Sequence, residues 1–159
     1  MQLRGTDIVV DKVRAKKNII SGSGATASLS EADSGSLVLM DRAAGIVFTL
    51  PAACAVGTFF DFLVTTSVTS NAYKVITGAG TELLIGGYTS VDTDSSNAMA
   101  TFTGNGSTHV AVNMTAAASN ALGGLLGTSL RFTKLTSTQW EVLGTVMTGG
   151  TPATAFATS

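Results

Sequence analysis

Apolar and polar residues alternate along this chain in short runs broken by glycine, proline, serine and asparagine, and the densest such pattern is IVFTLPAACAVGTFFDFLV at 46–64. Two strand-length runs, Ile46 to Leu50 and Thr58 to Val64, flank a connection that opens with Pro51 and closes with Gly57. β-Branched and aromatic residues bounded by turn formers predict a β-hairpin here. Period-two alternation puts Phe48 with Leu50 on one face of the first strand, and Phe60, Phe62 and Val64 together on one face of the second. Phe59 and Leu63 then take the opposite face. The pair is apolar on both sides, which predicts cover from a second layer of sheet or from a neighbouring subunit.

The same pattern predicts further strands in SLVLMD (36–41), AYKVIT (72–77), ELLIGGY (82–88) and AMATFT (98–103). The adjacent glycines of ELLIGGY suggest a bulge or a sharp corner, and TSVDTDSSN after it reads as an exposed loop. GNGS at 104–107 is the clearest turn signal, because Asn-Gly tolerates the positive φ angles of tight hairpins. AMATFT and THVAVNM are therefore expected to be antiparallel neighbours. AAASNALGGLLG (116–127) reads as a closely packed loop, its three glycines weakening any helix. A last hairpin is expected from TSLRFTKL (128–135) and WEVLGTVM (140–147), with Leu130 and Phe132 on one face of the first strand and Trp140 and Val142 on one face of the second.

Composition narrows the class. Charged residues make up only 12% of 159 residues, and no segment spaces leucines and charges as a long amphipathic helix requires. The chain is predicted to be all-β: a single antiparallel β-sandwich, jelly-roll-like or tulip-like barrel domain over residues 35–148. An extended N-terminal arm and flexible link (1–34) precede it, and TPATAFATS lies in a flexible C-terminal tail (149–159) that is expected to fray. No long-period internal repeat of the kind that marks a solenoid is visible.

Charge divides the chain unevenly. Residues 1–17 hold Arg4, Lys12, Arg14, Lys16 and Lys17 against Asp7 and Asp11, a local +3, and the remainder carries −4. Stacking aromatics among these basic residues and a domain-wide basic character are both missing, so direct nucleic-acid binding is not predicted. The short apolar runs Ile8 to Val10 and Asn18 to Ile20 suit an arm that adds a strand to a neighbour or folds back on its own body. Cys54 is the only cysteine, so no intrachain disulfide is expected. No run approaches the roughly 20 apolar residues needed to cross a bilayer, and the first residues lack a secretory apolar core. Synthesis in a cytoplasm and no membrane partner are the expectations.

Candidate chemistry is sparse. GSGATA (22–27), with Asp41 about 20 residues on, fits a dinucleotide fingerprint, but SLSEADSGS supplies no apolar stripe for the helix that the pyrophosphate needs. Asp92, Asp94 and Asn97 resemble part of a calcium loop, yet Ser96, Asn97 and Thr103 stand where later ligands and the turn glycine belong. Asn105 and Asn113 begin Asn-x-Ser/Thr patterns and read better as a turn and a strand residue. His109, the only histidine, lacks zinc partners at workable spacing and a Gly-x-Ser-x-Gly elbow. Trp140 and Tyr88 could stack on sugar, although a lone tryptophan in a closing strand reads first as core. No enzyme, cofactor or metal is predicted.

TLPAA with a following Gly-x-x-Phe-x-Phe, then YKVIT, GNGSTHVAV, GGLLGTSLRF and WEVLG, together resemble the head decoration, or capsid cement, proteins of tailed bacteriophages, over about residues 36–148. The resemblance implies a β-rich homotrimer on the outer capsid surface that clamps adjacent major capsid subunits, made in the host cytoplasm, with no catalytic residue to carry over. Contacts to capsid and neighbours are expected from the arm: Val9, Val10, Lys12, Arg14, Lys16, Lys17, Ile19 and Ile20. Deleting residues 1–20 is expected to abolish capsid binding and leave the body folded. The alternatives are a receptor- or glycan-binding module of a tail fibre or spike, a small β-fold enzyme, and a bacterial surface or assembly protein unrelated to phage.

Overall fold

The alternation read in the sequence appears as burial. A computed structural model describes residues 17–94, 98–115 and 120–159, and they form twelve strands in two sheets with a shared core. In chain order these are β1 (Ile19–Ser21), β2 (Thr26–Ser28), β3 (Leu37–Met40), β4 (Ile46–Thr49), β5 (Phe59–Val64), β6 (Ala72–Ile76), β7 (Leu83–Asp92), β8 (Met99–Thr103), β9 (Ala111–Thr115), β10 (Ser129–Thr136), β11 (Gln139–Thr148) and β12 (Phe156–Ala157). One sheet has the order β1-β3-β5-β10-β11-β7-β8 and the other β12-β9-β6-β4-β2. Val38, Phe60, Phe62, Phe132, Trp140 and Val142 from the first meet Ile46, Phe48, Tyr73, Val75 and Met114 from the second, all buried. Phe62 stands edge-on to Phe48 across the layers (5.5 Å) and to Phe132 within its own sheet (5.3 Å). The all-β, sandwich-like prediction holds.

Its antiparallel character does not. Five strand pairings are parallel: β1 with β3, β3 with β5, β2 with β4, β4 with β6, and β7 with β11. From β1 to β6 the chain alternates between the sheets, so it winds around the core and lays each turn beside the last. The paired positions Ile19, Leu37 and Asp61 are separated by 18 and then 24 residues, and Thr26, Val47 and Lys74 by 21 and then 27. Unequal turns leave no fixed period, which is why the sequence shows no repeat.

Two predicted hairpins are corrected for the same reason. β4 and β5 lie in different sheets. The connection from Pro51 crosses the roughly 10 Å between layers; β4 satisfies its backbone on its parallel neighbours β2 and β6, and β5 on parallel β3 and antiparallel β10. β8 and β9 are likewise in different sheets. The turn between them forms as expected, with Gly106 at φ +64° and Asn105 Oδ1 accepting from the N–H groups of Ser107, Thr108 and His109, but it carries the chain across the sandwich. The hairpin of β10 and β11 is present, with Phe132 opposite Val142 and Leu130 opposite Gly144.

Three boundaries also move. β7 runs through the expected loop as far as Asp92, in unbroken register with β11. Gly86 is therefore no bulge against β11; a Cβ there, at φ +80°, would stand 2.6 Å from the Val142 carbonyl oxygen. Within the expected arm and link, β1 and β2 are edge strands of the two sheets. The expected frayed tail returns as β12 on β9: Ala155 and Phe156 are buried, and Phe156 stacks between Tyr88 (5.2 Å) and His109 (5.4 Å).

Candidate functional site

The seven-stranded sheet turns one face to the core, and on its other face β3 and β5 are also apolar, beside the polar outward positions Ser129, Thr133, Glu141 and Thr145 of β10 and β11. In β3 and β5, Val38, Met40, Phe60, Phe62 and Val64 point inward, leaving Leu37, Leu39, Phe59 and Leu63 half-buried on the outside. Register places these in rows. Leu39 lies beside Leu63, and one row runs Ile19, Leu37, Asp61, Arg131, Leu143 across five strands. Ile85 continues the face on β7, beside Glu141. Ile19 is 61% and Leu143 47% exposed. A sheet face that needed only water would carry polar residues at such positions.

Its charges are paired in the middle. Arg131 Nε donates to Asp61 Oδ1 (2.6 Å) and Nη2 to Asp61 Oδ2 (2.9 Å), a bidentate fork that fixes both groups. Lys17 Nζ reaches the same carboxylate from the chain entering β1, and the guanidinium lies 4.9 Å from the centre of the Phe59 ring. The hydrogen bonds from Arg131, helped by Lys17, hold the Asp61 carboxyl below the usual carboxylate value against a smaller opposing effect of burial. Two cations share one carboxylate, so the cluster is hydrogen-bonded and carries a net +1; paired charge costs a contact surface less than a lone ion, which would resist desolvation.

Of the residues expected to contact a neighbour, Lys17 and Ile19 belong to this face. Ile20 packs against the core instead. Val9, Val10, Lys12, Arg14 and Lys16 lie outside the described residues. Reasoning from the sequence identified Phe59 and Leu63 as a second apolar face but not Leu37, Leu39, Ile85 or Leu143, although LVLM at 37–40 is apolar at every position.

The other candidates resolve into structure. GSGATA leads into β2 and then a single 3-10 turn (Glu31–Asp33), so the helix a pyrophosphate needs does not follow. Asp92 caps the Asp94 N–H (3.0 Å), and Asp94 Oδ2 accepts from the Gly150 N–H (3.0 Å), tying β7 to the chain beyond β11; Ser96 and Asn97 lie outside the described residues. His109 lies flat against Phe156 and accepts from the Asn105 N–H through Nδ1 (3.2 Å). Trp140 and Tyr88 are buried, which removes them as sugar-stacking platforms. Lys134 forms a buried ion pair with Glu82 and lies 5.1 Å from the Trp140 ring centre. Among the described residues no group of three or more His, Cys, Asp or Glu is placed to hold a metal, and no helix is long and apolar enough to cross a membrane. No protein-family model matches the chain, and no curated protein matches it.

Proposed function

We propose that this chain is a non-enzymatic structural protein of a tailed-phage virion, a homotrimer that sits on the outer capsid surface and holds neighbouring major capsid subunits together. The observation that carries this reading is the apolar outer face of the seven-stranded sheet, with its ion pairs closed on themselves. Three copies that turn this face toward a common axis bury it. Lys17 lies on that face, and contacts to the shell are assigned to the basic segment that precedes it in sequence. Each capsid contact is modest. A trimer engages several at once, and a shell repeats them over many copies, so stabilisation accumulates through multivalency and symmetry without a reactive group.

Because β1 belongs to the body, a test by deletion removes residues 1–16 and keeps Lys17. The direct experiment is antibody labelling of intact source particles in the electron microscope. Label spread over heads supports the proposal. Label confined to tail tips overturns it in favour of a receptor-binding module, and particles without label contradict both.

A further inference from the structure

The five-stranded sheet carries, on its own outer face, a groove of about 480 Å³, within the range of small-molecule sites. One row of paired positions forms its floor, Thr26, Val47, Lys74 and Asn113 from four successive strands. Arg42 and Asn71 stand at the rim, from the loops that lead into β4 and β6. No aspartate or glutamate is among the lining residues, in a chain whose net charge is −1.

The rim is braced. Arg42 Nη1 donates to the Gly45 carbonyl (2.9 Å), Asn71 Nδ2 to the Ala44 carbonyl (3.0 Å), and the Thr69 N–H to the Ala43 carbonyl (2.8 Å). Gly45, at φ +78°, lets this loop press on β6; a Cβ there would lie 2.2 Å from the Ala72 carbonyl oxygen. The loop is thus held before any ligand arrives, which lowers the entropic cost of binding. Meanwhile two floor groups are unspent. Lys74 has no ion-pair partner, and the buried Asn113 Oδ1 has no hydrogen-bond donor, among the described residues.

We infer that this groove binds a small hydroxylated carboxylate, the chemistry of a uronic acid. Lys74 and Arg42 flank the carboxylate, the Asn71 and Asn113 amides and the Thr26 hydroxyl hydrogen-bond the ring hydroxyls, and Val47 packs under the ring carbons. Cations alone would suit any anion. Amides and a hydroxyl beside an aliphatic floor select one with a hydroxylated carbon skeleton. The inference is independent of where the protein sits in a particle.

The test is an NMR titration of the full chain with glucuronate, with glucose and acetate as controls. Glucuronate is expected to bind with a Kd on the order of a millimolar, moving the amide signals of Thr26, Lys74 and Asn113, while both controls bind at least about tenfold more weakly. Lys74→Met weakens glucuronate by at least about tenfold, and Asn113→Asp, which sets a carboxylate beside Lys74 to compete with the ligand for its charge, abolishes binding in a folded protein. A glucuronate-containing tetrasaccharide that binds more tightly than the free sugar assigns the ligand to a polysaccharide; equal binding assigns it to a free sugar acid. Equal affinity for acetate or for glucose overturns the inference, as does a glucuronate response that survives both substitutions.

Discussion

Lys134 and Glu82 face each other almost without solvent, their side chains 1% and 3% exposed. Burial pulls the Lys134 ammonium below the ordinary lysine range, and the Glu82 carboxylate and the Trp140 ring are the groups that face it. Lys134→Met leaves a carboxylate buried alone and is expected to cost about 3–5 kcal/mol, whereas Lys134→Met with Glu82→Leu recovers most of that loss. Denaturant unfolding measures both, and a loss below about 1 kcal/mol for the single variant would contradict a buried pair. Asp61 gives the pH dependence. Its folded value lies below the unfolded one of about 3.9, so its stabilisation is complete above that pH and is lost as pH falls through the lowered value. The stability difference between wild type and Asp61→Asn should stay level above about pH 5 and shrink below about pH 4. A constant difference down to pH 2 would show that the carboxylate is not ionically held.

At the scale of elements, β12 is two residues long and fastens the chain's end. Its Phe156 fills the space between Tyr88 and His109, and the Ala155 N–H donates to the Tyr88 hydroxyl (2.5 Å). Phe156→Ala should cost about 3 kcal/mol, at the low end for a buried phenylalanine, and hydrogen exchange of β9 should quicken with it; unchanged exchange would mean that the end frays. The sequence hides this strand, since TPATAFATS offers one large apolar residue among small ones. Individual strands such as β5, β6 and β10 are legible because alternation marks a half-buried strand. Their partition between sheets is not. Nothing local to IVFTL or FFDFLV distinguishes a hairpin from a crossing between layers, because the competing partners, Leu37 to Met40 and Ala72 to Ile76, lie in other segments. Asn105 likewise fixes a turn without fixing which sheet the chain enters next.

For the whole molecule, winding the chain around the core makes two outward faces of opposite character. The seven-stranded sheet shows leucines and self-paired charges, and the five-stranded sheet shows Lys74, Asn113 and Thr26. The first was partly legible, because Phe59 and Leu63 alternate with core residues in a single stretch. The second was not, because the groove is assembled from four strands distant in sequence, β2, β4 and β6 set side by side by parallel winding and β9 added antiparallel to β6. The central claim is that the leucine face is covered in the native assembly. Sedimentation equilibrium of the full chain tests it directly, with Leu63→Glu/Leu143→Glu as the comparison. The wild type should sediment at three times the 16.0 kDa of one chain, and the variant as a single chain with an unchanged circular dichroism spectrum. A wild type that sediments as a single chain, or a variant that stays trimeric, would contradict the account.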